Sequence, residues 1–94
     1  MDDIKFLTTP PVSIATASGT YSMPANGYLK LYAELPQNGE VEIKLGSEYL
    51  YYMINRSSST LYLATTLPPL RKGTEFKYTR SAGTGTVTYF PFSD

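Results

Sequence analysis

The stretch Gly27-Tyr28-Leu29-Lys30-Leu31-Tyr32-Ala33-Glu34-Leu35-Pro36-Gln37-Asn38-Gly39-Glu40-Val41-Glu42-Ile43-Lys44-Leu45 decides the fold class. Successive side chains of a β-strand point to opposite faces, so Leu29, Leu31, Ala33 and Leu35 share one face. Tyr28, Lys30, Tyr32 and Glu34 share the other. Pro36 through Gly39 stops the strand, and Asn38-Gly39 supplies the positive φ angles of a tight turn. Glu40 to Leu45 then alternates again, with Val41, Ile43 and Leu45 on the apolar side. The pattern predicts two strands joined as a hairpin.

Outward from this stretch the chain keeps the same grammar. After a Gly46-Ser47 turn, Glu48 to Asn55 reads as a strand with two apolar faces: Leu50, Tyr52 and Ile54 on one, Tyr49, Tyr51 and Met53 on the other. Arg56 to Ser59 is a polar turn, and Thr60–Thr65 is a strand with Leu61 and Leu63 inward. Leu67-Pro68-Pro69-Leu70 is an extended crossing segment, because two adjacent prolines remove two ladder donors. Thr74–Thr79 carries Phe76 and Tyr78 on one face; Ser81-Ala82-Gly83 turns the chain. The last strand, Thr84–Phe92, sets Val87 and Tyr89 opposite Phe90 and Phe92. Upstream, Ile4–Leu7 and Val12–Ala15 read as strands around Pro10-Pro11.

Helix signals are nearly missing, since Ser and Thr make up 21 residues and Pro and Gly interrupt every long run. Seven or eight short strands in 94 residues imply an all-β, two-sheet, jelly-roll-like sandwich of antiparallel strands around one core. A single domain over residues 1–94 is expected, with an N-terminal strand or arm at 1–17 and the sandwich body at 18–92.

Composition narrows the function. His, Cys and Trp are absent, which removes the commonest general base, the thiolate nucleophile and the nitrogen and sulfur metal ligands. No catalytic residues, cofactor or metal are expected. Formal net charge is zero, so there is no electrostatic case for nucleic acid. Arg71, Lys72, Lys77 and Arg80, interrupted by Glu75, read as a solvated strand and turn. The first residues show neither a basic n-region nor a long apolar stretch, and no apolar run approaches the roughly 20 residues of a membrane helix. Neither a signal peptide nor membrane insertion is therefore expected.

Three constellations could carry chemistry. Glu40 and Glu42 share one strand face and read as the solvent side of an amphipathic strand, because nothing nearby splits their pKa values. Gly83-Thr84-Gly85-Thr86 looks like part of a phosphate loop but has no following helix and no Gly-Lys-Ser/Thr ending, so it is a turn. No Ser-x-x-Lys occurs. The feature left over is aromatic: nine Tyr and four Phe exceed what one small core takes up. Tyr49, Tyr51, Met53, Phe90 and Phe92 are the expected subunit interface, because Tyr and Met are enriched where protein surfaces meet. The alternative is a carbohydrate-binding module, with Tyr28, Tyr32 and Tyr62 as a platform for sugar rings.

Three segments carry a resemblance. Ser18-Gly19-Thr20-Tyr21-Ser22-Met23-Pro24-Ala25-Asn26-Gly27-Tyr28-Leu29 leads into a hydrophobic strand, and Pro69-Leu70-Arg71-Lys72-Gly73-Thr74-Glu75-Phe76 steps into the penultimate one. Tyr89-Phe90-Pro91-Phe92 closes the chain with aromatic residues. Together, over residues 18 to 92, they resemble the small jelly-roll head domains of bacteriophage tail and head fibre proteins, similar in outline to tumour-necrosis-factor-like and C1q-like domains. The resemblance implies a homotrimer made in the host cytoplasm and placed in the virion. Its protomers would pack around a threefold axis beside other virion proteins. It also implies an exposed end that attaches to a host surface, such as a glycan, or decorates the capsid. A collagen-like or coiled-coil shaft is missing from the sequence.

Overall fold

Alternation in Gly27–Leu35 is realised as a nine-residue strand whose Leu29, Leu31 and Leu35 are shut off from water. A computed structural model describes residues 12–92, and all regular structure within them is β. The strands are β1 (Val12–Ala15), β2 (Gly19–Ser22), β3 (Gly27–Leu35), β4 (Glu40–Leu45), β5 (Glu48–Ile54), β6 (Leu61–Thr66), β7 (Glu75–Arg80) and β8 (Thr84–Pro91). They form two antiparallel four-stranded sheets, ordered β1-β8-β3-β6 and β2-β7-β4-β5. This is the jelly-roll sandwich that the alternation implies, with both ends of the chain interleaved in each sheet. The expected strand at Ile4–Leu7 lies outside the described residues.

The predicted β3–β4 hairpin does not form. β3 pairs with β6 and β8, whereas β4 pairs with β5 and β7 in the opposite sheet. The local reason is the turn. Only Asn38 takes a positive φ, at 66°, while a two-residue hairpin of the Asn-Gly kind needs positive φ at both central positions. A bond from the Gly39 N–H to the Pro36 carbonyl (2.9 Å) closes a four-residue turn that hands the chain from one sheet to the other. Among the described strands, β4 and β5 are the only consecutive pair in one sheet; their turn uses Gly46 at φ 61°.

The corner is stitched by Asn55, a buried residue that the sequence reading passed over. Its Nδ2 donates to the carbonyls of Leu35 (2.9 Å) and Ser59 (2.8 Å), and its Oδ1 accepts from the Ser57 N–H (2.9 Å). Arg80 likewise departs from its expected solvated role. Its guanidinium donates to Tyr78 Oη (3.1 Å), the Gly83 carbonyl (2.6 Å) and the Thr16 carbonyl (3.2 Å), tying β7 to the β1–β2 and β7–β8 turns. A charged donor holding three acceptors at one end of the sandwich is a clamp.

β5 corrects a second expectation. The register slips between Ile43 and Lys44, which face Tyr51 and Tyr49, so Leu50 is an extra residue in a β-bulge. One inserted residue inverts the faces on either side of it. Tyr51 and Met53 therefore sit with Ile43 and Val41 on the inner face, while Tyr52 joins Glu42 outside and Tyr49 joins Lys44 outside. The inner faces of both sheets supply the core, in which Met23, Val41, Ile43, Phe76, Tyr78 and Val87 are almost completely buried. Each such side chain contributes about 1.5–3 kcal/mol.

Tyr89 is also buried, and its hydroxyl has no hydrogen-bond partner among the described residues. Burial pushes its pKa above 10.0, outweighing a contact with the Ala25 backbone that falls short of hydrogen-bond geometry. The unfolded chain therefore releases this proton first, so stability present below pH 10 is lost as the pH climbs past that value. Two outcomes follow, both readable by urea unfolding. Asn55→Ala should cost about 2–3 kcal/mol, because it strands the Leu35 carbonyl in the interior. Tyr89→Phe should be neutral or stabilising by up to about 1 kcal/mol and should flatten the alkaline fall; a large loss at neutral pH would contradict the unpartnered hydroxyl.

Candidate functional site

The sandwich has two outer faces, and the cross-strand registers assign each surface ring to one of them. On the β1-β8-β3-β6 sheet, Tyr28 lies opposite Phe90, Lys30 lies between Thr88 and Thr66, Tyr32 between Thr86 and Ala64, and Glu34 between Thr84 and Tyr62. Lys30 and Glu34 are the charged side chains among these rows. On the β2-β7-β4-β5 sheet, Glu40, Glu42 and Lys44 of β4 are joined by Lys77 and Glu75 of β7. The first face is thus the less charged.

At one end of the first face Tyr28 and Phe90 stack with centroids 4.9 Å apart and planes 3° from parallel. Phe92 packs on Tyr28 at 5.9 Å. Close stacking between directly opposed strand residues is how a sheet holds large rings flat on its surface. All three are half-buried. At the other end, Tyr32, Glu34, Tyr62, Thr84 and Thr86 surround a shallow groove of about 290 Å³. Tyr62 is 72% exposed and Tyr32 40%. Lys30 Nζ lies 5.7 Å from the Tyr32 ring centre.

The opposite face carries a second aromatic pair. Tyr49 and Tyr52 meet edge to face at 5.6 Å beside Glu40 and Glu42, around a cavity of about 320 Å³. Tyr52 Oη donates to Glu40 Oε1 at 3.1 Å. The Tyr52 pKa is raised by desolvation first and then by the hydrogen bond and charge of Glu40, with Arg56 pulling the other way. Lys44 Nζ stands 4.9 Å over the Tyr49 ring. Burial raises the Tyr51 pKa too, as suits a residue packed toward the core. Among the described residues no group of three or more acidic side chains is placed to hold a metal ion, and no helix is long and apolar enough to cross a membrane.

The expected site residues are regrouped by this geometry. The proposed interface set splits three ways: Phe90 and Phe92 on one outer face, Tyr49 on the other, and Tyr51 with Met53 turned inward. The proposed sugar platform splits as well. Tyr32 and Tyr62 line the groove together with Glu34, Thr84 and Thr86, whereas Tyr28 stacks on Phe90 at the far end. Glu34 and the threonines were missed because an isolated carboxylate and β-sheet hydroxyls carry no sequence signal until the pairing of β3, β6 and β8 is known. Comparison with protein-family models, curated proteins and solved structures finds no match for this chain.

Brief nitration with tetranitromethane, read by peptide mass mapping, should modify Tyr62 and Tyr49 (59% exposed) first. Tyr78 and Tyr89 should react only after unfolding; early modification of either would contradict the assignment of faces.

Proposed function

We propose that the chain is a non-catalytic structural protein of a bacteriophage particle. It acts as a homotrimeric fibre-head or capsid-decoration domain, held among other virion proteins and serving host attachment at its exposed end. The observation that carries this reading is the Tyr28–Phe90–Phe92 cluster. It lies on the outer face of the central strands β3 and β8, where no third layer covers it among the described residues. A flat, stacked aromatic patch on middle strands is the kind of surface that a protein interface covers. Zero net charge removes a barrier to association of identical copies.

The jelly-roll strand order supports the phage-fibre resemblance at the level of architecture, and the threefold arrangement follows from that resemblance. The copies meet through Tyr28, Phe90 and Phe92. Tyr51 and Met53 are better explained as core residues, and Tyr49 belongs to a charged face with no comparable central patch.

Native mass spectrometry at micromolar concentration should give about three times the monomer mass, the smallest closed ring beyond a dimer. The double variant Tyr28→Ser with Phe90→Lys should fall to monomer with its far-ultraviolet circular dichroism unchanged. A monomeric parent chain would defeat the proposal, as would a variant that stays trimeric.

A further inference from the structure

We infer that the groove between Tyr32 and Tyr62 is a binding site for a neutral, pyranose-containing glycan. Three strands build it. Because Tyr32 pairs with Ala64 and Glu34 with Tyr62, the two tyrosines are diagonal neighbours. Diagonal neighbours on a sheet stand about 7–8 Å apart, so a gap remains between the rings where Ala64 offers only a methyl group. Thr84 and Thr86 of β8 close the opposite wall. The resulting volume, about 290 Å³, is at the lower edge of the roughly 300 Å³ at which small-ligand sites begin.

The lining selects the ligand class. Two exposed rings present flat apolar faces suited to the C–H face of a pyranose, and each Tyr keeps a hydroxyl at its wet end. Glu34 accepts hydrogen bonds from sugar hydroxyls, while Thr84 and Thr86 both donate and accept. Among the described residues Glu34 is the only charged side chain lining the groove, which disfavours an anionic ligand. A cationic ligand is disfavoured because the groove is open rather than an enclosing aromatic cage, and because Lys30 already engages Tyr32 from the neighbouring row.

The inference goes beyond the assembly reading and does not need it. Along β3 the near wall of the groove, Tyr32, lies four positions from Tyr28, about 13 Å at strand rise, and Glu34 lies six positions away, about 20 Å, so the groove stays open when the Tyr28 end is covered.

Saturation-transfer difference NMR on the whole chain tests this. The probes are methyl β-galactopyranoside, methyl α-glucopyranoside and N-acetylglucosamine, with 3′-sialyllactose and tetramethylammonium as charged controls. At least one neutral sugar should show transfer, weakened roughly fivefold or more by Tyr62→Ala and by Glu34→Gln, with native mass unchanged in both. The proposal fails if no neutral sugar shows transfer, if only a charged control does, or if transfer survives both substitutions. A negative sugar result beside a trimeric mass overturns this inference alone. Transfer to a monomeric chain that both substitutions weaken supports it alone.

Discussion

A two-layer sandwich has a single interior, and each strand has only one face to give it. That constraint governs where the rings of this chain go. Tyr21, Tyr51, Phe76, Tyr78 and Tyr89 take places in or against the core, and Tyr28, Tyr32, Tyr49, Tyr52, Tyr62, Phe90 and Phe92 lie outside it. The outer rings are arranged as three groups: a stacked cluster at one end of β3, a groove at the other, and an edge-to-face pair on the opposite sheet. Each group has its own polar company. The stacked cluster has the least, and it is the surface through which the proposed self-association would run.

Nearly every connection in this topology crosses between sheets, and crossing turns cannot use the ladder hydrogen bonds of a hairpin. Their backbone groups must be satisfied by other means. Asn55 does this for the β3–β4 corner, and Arg80 does it where the β1–β2 and β7–β8 turns converge. Both side chains reach across elements far apart in sequence. The ends of the sandwich are therefore held by a few polar contacts, and its middle by apolar burial. The proposed binding surfaces are built on β3 and β8 in the middle of their sheet and on the edge strand β6, where register fixes ring positions.

Strand identity was legible in the residues wherever one face is buried and the other wet. β3, β4, β7 and β8 follow their alternation closely, and Val87 and Tyr89 turn inward as the pattern requires. Partnership was not legible. β3 lies between β6 and β8, partners that lie dozens of positions away, and a local turn motif such as Asn38-Gly39 says nothing about them. The bulge at Leu50 was hidden for a related reason: with apolar or aromatic residues at every position of Tyr49–Ile54, no polar face marks the slip. β2 gave little signal beyond its place in the Ser18–Leu29 segment, because Gly19-Thr20-Tyr21-Ser22 carries a single large apolar side chain to mark its alternation. The groove could not be read at all, since its walls come from three strands and its definition depends on their register.

The most direct test of the central claim is the distance between copies measured from opposite sides of the sandwich. The chain has no cysteine, so Thr66→Cys and Thr20→Cys each give a unique spin-label position, the first on the outer face of the β1-β8-β3-β6 sheet and the second on that of its partner sheet. Pulsed dipolar spectroscopy should find Thr66 labels of neighbouring copies closer together than Thr20 labels. Equal distances, a shorter separation at Thr20, or no coupling between copies at either position would contradict the account.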